Sequence, residues 1–289
     1  MKDNSTSAKG NNYGIPPAII RTAKTMQFFS KGATASFIAK LFITPVKHKT
    51  PEREEMMRES AKKEMILIPS LGYEVMVYTY GYSKHKVLMA HGWSGRGTQM
   101  YAIADKLLEN GMMIISFDGP AHGLSKGKTT TPIEFVKTIN FLNEKYGPFE
   151  AAVGHSFGSI SLLKSVSEGL GINKLVVIGT EFKIMNIIDN LIQSLGLKKK
   201  MSSRLKKRLD GKFQGDIEIF GAGLSAKNVN IPTLVIHDTK DNDVDVSSAY
   251  KLRQNLANGE LLVTNGLGHR TILRDKNISN RIVEFIKRT

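Results

Sequence analysis

From residue 65 onward, short runs rich in branched and aromatic residues alternate with longer stretches whose apolar positions recur every three to four residues. Strands alternating with helices produce this pattern. The runs predict strands at 65–68, 74–80, 87–90, 112–117, 151–154, 174–178, 233–237 and 261–264, and helices at 98–109, 132–145, 157–168, 247–255 and 279–287. A short turn over 69–72 predicts that the first two strands pair antiparallel. The later spacings leave room for right-handed crossovers. The expected fold is α/β: a mostly parallel eight-stranded sheet with helices on both faces.

Two stretches depart from that alternation. Ile19, Ala23 and Met26, then Ala33, Phe37, Ile38 and Leu41, fall at helical spacing, with Arg21, Lys24, Lys31 and Lys40 between them. They predict one or two basic amphipathic helices, which either pack on the main domain or touch anionic lipid. Pro45 and Pro51 bracket a linker, and 52–63 reads as an exposed helix. Residues 181–230 separate two strands by far more than a usual crossover and carry Lys198, Lys199, Lys200, Arg204, Lys206, Lys207, Arg208 and Lys212. This segment reads as an inserted helical lid. The expected organisation is a basic N-terminal segment (1–63), a core (64–180 and 231–289) and a cap (181–230).

The polar start, 1–12, lacks the apolar stretch of a secretory signal and reads as a frayed tail. The apolar run 37–46 is broken by Lys40 and closed by Pro45, too short for a bilayer. A cytoplasmic protein is expected, with a peripheral place at the membrane as the alternative. Composition changes the picture in two ways. With no cysteine, thiol catalysis and cysteine-ligated metals are excluded. The 41 Lys+Arg against 26 Asp+Glu give a formal charge of +15, which suits an anionic partner. No nucleic-acid reader motif accompanies it, so no nucleic-acid partner is expected.

The strongest chemical signal is Gly154-His155-Ser156-Phe157-Gly158, a G-x-S-x-G between a predicted strand and a predicted helix. The glycines let neighbouring backbone pass a serine held in a strained turn, and the Phe157 amide at the helix start favours an oxyanion. A serine hydroxyl needs a histidine to take its proton and a carboxylate to orient that histidine. His269 follows the last strand in Gly266-Leu267-Gly268-His269. For the acid, Asp238, Asp241 and Asp243 compete after the strand 233–237. Asp241 is preferred for its distance past the strand end, and Asp238 is second; Asp243 is left to solvent or to capping a helix. His91-Gly92-Trp93 closes the strand 87–90, so the Trp93 amide supplies a second oxyanion donor, with Gly92 allowing close approach. His91 and His122, each before a glycine, are expected to brace loops by hydrogen bonding, and His237 to orient the acid loop. His48 and His85 read as surface residues. No histidine or carboxylate spacing calls for a metal.

Four blocks in order, His91-Gly92-Trp93, Asp118-Gly119-Pro120-Ala121-His122-Gly123-Leu124-Ser125, the Gly154–Gly158 elbow, and the late Asp241 and His269, resemble the α/β-hydrolase superfamily. The resemblance covers residue 64 to the C-terminus and is similar to its bacterial esterase- and lysophospholipase-like branch. A His-Gly-Gly-Gly stretch is missing, which sets the chain apart from the hormone-sensitive-lipase branch. The resemblance implies a serine hydrolase without cofactor, with Ser156, Asp241 and His269 as triad, Trp93 and Phe157 as oxyanion donors and 181–230 as the cap over the pocket. Carboxylic esters, cleaved through an acyl-enzyme as in a carboxylesterase or lipase, are the first expectation. Thioesters, amides and lysophospholipids are the second, and a non-catalytic binding scaffold is the third.

Overall fold

Runs such as Val87-Leu88-Met89-Ala90 and Leu175-Val176-Val177-Ile178 lack polar alternation because helices cover both sides of the sheet. All of these residues are buried. The computed structural model describes residues 14–213 and 215–288, so the predicted tail 1–12 lies outside it. Its strands are β1 (Lys62–Ile68), β2 (Tyr73–Tyr80), β3 (Lys86–Ala90), β4 (Met113–Phe117), β5 (Phe149–His155), β6 (Ile172–Ile178), β7 (Thr233–Asp238) and β8 (Gly259–Thr264). They form one sheet in the order β1-β2-β4-β3-β5-β6-β7-β8. β1 pairs antiparallel with β2, and β2 antiparallel with β4. Every other pairing is parallel.

Register aligns the strand exits. Ala90 of β3 faces Gly154 of β5, Gly154 faces Val177 of β6, and Asp238 of β7 faces Thr264 of β8. The chain segments leaving β3, β5, β7 and β8 therefore depart from one edge of the sheet, the edge at which open α/β sheets bind ligands.

The helices are α1 (Pro17–Phe29), α2 (Lys31–Phe42), α3 (Glu55–Ser60), α4 (Tyr101–Glu109), α5 (Pro132–Tyr146), α6 (Phe157–Ser167), α7 (Ile184–Ser194), α8 (Lys200–Phe213), α9 (Ala222–Ala226), α10 (Ser247–Asn255), α11 (Gly268–Thr271) and α12 (Lys276–Lys287). Local chemistry explains several ends. The Thr131 hydroxyl accepts the Glu134 N–H at 3.3 Å with Pro132 at the first helical position, which starts α5. Asp275 caps α12 through the Ile278 N–H at 3.0 Å.

Two compact units divide the described residues, one spanning 41–183 and 218–288 and carrying the sheet, the other joining 14–40 to 184–217. The division differs from the expected one, which kept the N-terminal helices apart from the insertion. Within the second unit the Lys198 N–H donates to Gln27 Oε1 at 3.3 Å, and α7 packs on α8. Each of these helices is a lone amphipathic element, with buried stripes at Ile184, Ile188 and Ile192 and at Met201, Leu205 and Leu209, that must find partners to be stable. Residues 218–230 belong instead to the sheet unit, where the Gly223 N–H donates to the Phe182 carbonyl at 3.0 Å.

The expected exposed helix over 52–63 needs correction. It is a 3-10 turn at Glu52–Glu54 followed by α3, and Lys62 and Lys63 already belong to β1. Glu54, Met57 and Ala61 are buried. Thr98 Oγ1 donates to Glu54 Oε2 at 2.8 Å and Arg96 lies 3.3 Å away, so burial is bearable for a charge that sequence alone assigned to water. Among the described residues no helix is long and apolar enough to cross a membrane.

Candidate active site

At the end of β5 the chain must reverse from strand into α6 within a residue. Ser156 makes that turn with φ 51° and ψ −113°, left-handed backbone that a side chain rarely adopts. Its N–H is anchored on the Ile178 carbonyl at 2.8 Å. The flanking glycines are sterically required: a Cβ on Gly158 would lie 2.1 Å from the Ala90 carbonyl oxygen, and one on Gly154 2.7 Å from Ser159 Cα. A serine preceding a helix ordinarily spends its hydroxyl capping the first turn. Here the hydroxyl makes no capping bond.

Strain recurs around it. The non-glycine residues with positive φ, among those described, are Ser94, Ala121 and Ser156, in the loops after β3, β4 and β5. Strain of this kind clusters at active sites and ligand clamps, which singles out this edge as the candidate site.

The candidate acid and base lie on the loops after β7 and β8. His269 Nδ1 lies 2.7 Å from Asp241 Oδ2, and the Asp241 side chain is 1% exposed. The other carboxylate oxygen accepts the Asp243 and Val244 N–H groups, both at 2.8 Å. Asp241, being an acceptor, fixes the His269 proton on Nδ1 and leaves Nε2 as a base. His269 is held beside the elbow from two directions. The His155 Nε2–H donates to the His269 carbonyl at 2.9 Å, with the rings 4.6 Å apart. A Cβ on Gly179, the residue after the Ile178 that anchors Ser156, would stand 3.1 Å from His269 Nδ1. Among the described residues the Ser156 hydroxyl makes no hydrogen bond to His269; contacts of this kind often tighten only once a ligand is bound.

Asp238, the second candidate acid, is used otherwise. It accepts N–H groups of Lys240, Gly266, Leu267 and Gly268 and the Thr264 hydroxyl, between 2.7 and 3.1 Å. Burial opposes its charge, but these donors outweigh burial and hold the carboxyl well below its usual value. Asp238 thus ties the two loops that carry Asp241 and His269. His237 assists: its Nε2–H donates to the Val244 carbonyl at 2.9 Å and lies 3.5 Å from Asp241.

On the other side, the loop after β3 runs against the elbow. A Cβ on Gly92 would meet His155 Nδ1 at 2.8 Å and Ser156 Cβ at 3.2 Å. Trp93 and Phe157 rings meet edge to face at 5.2 Å. Among the described residues neither the Trp93 nor the Phe157 N–H has a protein acceptor. His91 and His122 support this loop. His91 Nδ1–H donates to the Gly92 carbonyl at 2.7 Å while its Nε2 accepts the Gly119 N–H at 2.8 Å. His122 Nδ1–H donates to the Pro120 carbonyl at 2.9 Å. Burial lowers His91 far below the ordinary imidazole value and brings His122 down to about 4, so both are neutral braces.

Sequence reasoning passed over three supports. His155 appears in the sequence reading only inside the elbow motif, yet its Nε2–H clasps the His269 carbonyl. Asp118 organises its loop, accepting the Gly97 and Leu124 N–H groups at 2.7 Å each, and burial raises its pKa. Its place at the head of the Asp118–Ser125 block was the available signal. Gly179, directly after β6, leaves space for the imidazole. Among the described residues no group of three or more metal-ligating side chains gathers.

Comparison with known proteins bears on the fold. A family profile described as TAP-like protein matches residues 221–289. No curated protein matches the chain. An esterase of Pyrococcus furiosus is 18% identical with a TM-score of 0.65, covering 85% of this chain and 96% of that one. An esterase from Exiguobacterium antarcticum is 19% identical (TM-score 0.60, 75% and 97% covered). A bromoperoxidase from Bacillus anthracis is 18% identical (TM-score 0.61, 78% and 100% covered). Likeness at this identity speaks for the fold, and neighbours of different activity show that fold alone does not select a reaction.

Proposed function

The chain has the α/β-hydrolase fold, and from that premise we propose that it is a serine hydrolase acting on carboxylic esters. The observation that carries this reading is the Asp241–His269 pair, 2.7 Å apart with the Asp241 carboxylate buried, set beside a strained serine whose hydroxyl makes no capping bond. His269 Nε2 takes the Ser156 proton as Oγ attacks the acyl carbon. The resulting oxyanion accepts the Trp93 and Phe157 N–H groups, each such donor being worth about 3–4 kcal/mol in the transition state. Collapse expels the alcohol, which takes the proton from His269, and leaves an acyl-Ser156. Water, deprotonated by His269, then attacks the acyl carbon, the bond to Ser156 Oγ breaks, and Oγ takes the proton back from His269 as the acid departs. Thioesters and lysophospholipids would follow the same course.

The purified protein should cleave short p-nitrophenyl esters, and Ser156→Ala should lose nearly all of that rate, about a thousandfold or more. A variant that cleaves as fast as wild type removes Ser156 from the mechanism.

A peripheral contact with anionic membrane is a second element of the proposal, supported by Phe28 and Phe29 at the end of α1. They are 86% and 80% exposed, lie 5.3 Å apart and are flanked by Lys24 and Lys31. Full-length protein should bind vesicles rich in anionic lipid and lose that binding in Phe28→Ser with Phe29→Ser. Equal retention by both proteins would contradict it.

A further inference from the structure

Beside the candidate active site the sheet unit holds a cavity of about 220 Å³ whose wall carries Arg53, Arg96, Arg270 and Arg274 against a single carboxylate, Glu54. Glu54 is already engaged, by Arg96 at 3.3 Å and the Thr98 hydroxyl at 2.8 Å. Arg53, Arg270 and Arg274 have no carboxylate partner among the described residues. The Arg274 guanidinium makes one long bond, 3.3 Å, to the Thr271 hydroxyl. Gln99 adds a buried Oε1 without a partner, an acceptor for a ligand hydroxyl or water. Arg53, Arg270 and Arg274 are exposed, so water screens their repulsion, and what the concavity offers an anion is charge-assisted, forked hydrogen bonds from guanidiniums that no carboxylate occupies.

The cavity's position connects it to the reaction. Trp93 lies in its wall and also offers the candidate oxyanion amide, while Arg270 directly follows the candidate base His269 and Arg274 follows one helical turn later. Ser156, Phe157 and His269 are not in that wall, so the recess adjoins the candidate site through Trp93 and Arg270.

We propose that the cavity is a substrate subsite for an anionic group, a phosphate or carboxylate carried by the ester, so that the preferred substrates are negatively charged esters. The proposal rests on the serine-hydrolase reading of Ser156. It places the charge recognition on arginines around the site and leaves the lysine-rich α8 out of it.

The test compares matched ester pairs. Monobutyrylglycerol against butyrylglycerol phosphate varies the leaving group, and p-nitrophenyl butyrate against mono-p-nitrophenyl glutarate varies the acyl group. Wild-type enzyme should favour the anionic member of at least one pair by about tenfold or more in kcat/KM, mainly through KM, and less so as ionic strength rises. The favoured pair identifies phosphate or carboxylate as the source. Arg270→Ala with Arg274→Ala should bring the ratio close to one, and Arg270→Lys with Arg274→Lys should restore part of it. Equal kcat/KM within each pair for wild type, with the neutral ester still cleaved in a Ser156-dependent way, overturns the anionic subsite and leaves the hydrolase reading standing. Where no ester is cleaved and Ser156 does not react with a fluorophosphonate, the hydrolase reading fails. Calorimetry with inorganic phosphate then decides the cavity: binding to wild type that the double alanine variant loses upholds an anion site, and no binding overturns it.

Discussion

Asp238 and Asp241 sit three positions apart, yet one collects five donors from the loop backbone and Thr264 while the other faces an imidazole. They should fail in different ways. Asp241→Asn should lower kcat by about 10⁴ through loss of the imidazole's orientation, with little effect on folding stability. Asp238→Asn should cost about 3 kcal/mol in denaturant unfolding, since a buried, multiply bonded charge is removed. The folded pKa of Asp238 is depressed, so its contribution to stability is present above the unfolded value near 4 and fades as pH falls below it. Steady-state kinetics and urea titration on both variants check this, and reversed effects would contradict the assignment. The sequence narrowed the acid to neighbouring aspartates and the base to His269. It preferred Asp241 for its distance past the strand end, but the role of Asp238 stayed hidden, because which amides each loop turns inward is set by pairing with Gly266, Leu267 and Gly268 far along the chain.

Elements were legible where one local cause dominates. The elbow is such a case, because glycines that tolerate close backbone approach must flank the serine. Gly158→Ala would set a methyl group 2.1 Å from the Ala90 carbonyl oxygen and should cost about 3 kcal/mol or more, with matching loss of activity. Gly171→Ala, in open space, should change stability by about 0.5 kcal/mol or less. Thermal unfolding of both variants checks the contrast; similar melting temperatures would mean that the elbow is looser than its geometry. The buried strands announced themselves through apolar runs, and α5 through the helical spacing of its apolar positions. The segment 52–63 did not, because its charges imply solvent, and only the distant partners Arg96 and Thr98 make a buried Glu54 tolerable.

The whole molecule brings residues from opposite ends of the core to one rim, and pairing of the N-terminal helices with the insertion is equally non-local, so neither could be read from periodicity. Burial has a global consequence through His91, His122 and His155, whose pKa values are all lowered, first by desolvation. The unfolded chain binds protons at these imidazoles below about 6.5 where the folded chain does not, so stability should fall as pH drops from there toward about 4. Three such groups impose a slope approaching about 4 kcal/mol per pH unit, partly offset by Asp118 and Asp105, whose raised pKa values let the folded state take up protons. Urea unfolding at several pH values should show this loss, with His122→Gln reducing it; a flat profile would contradict burial of neutral imidazoles. The convergence itself is tested most directly by intact-mass and peptide analysis after treatment with a fluorophosphonate. One adduct on Ser156, absent in Ser156→Ala and strongly slowed in His269→Ala, is the predicted result. An adduct on another residue, or labelling of Ser156 that is indifferent to His269, would contradict the account.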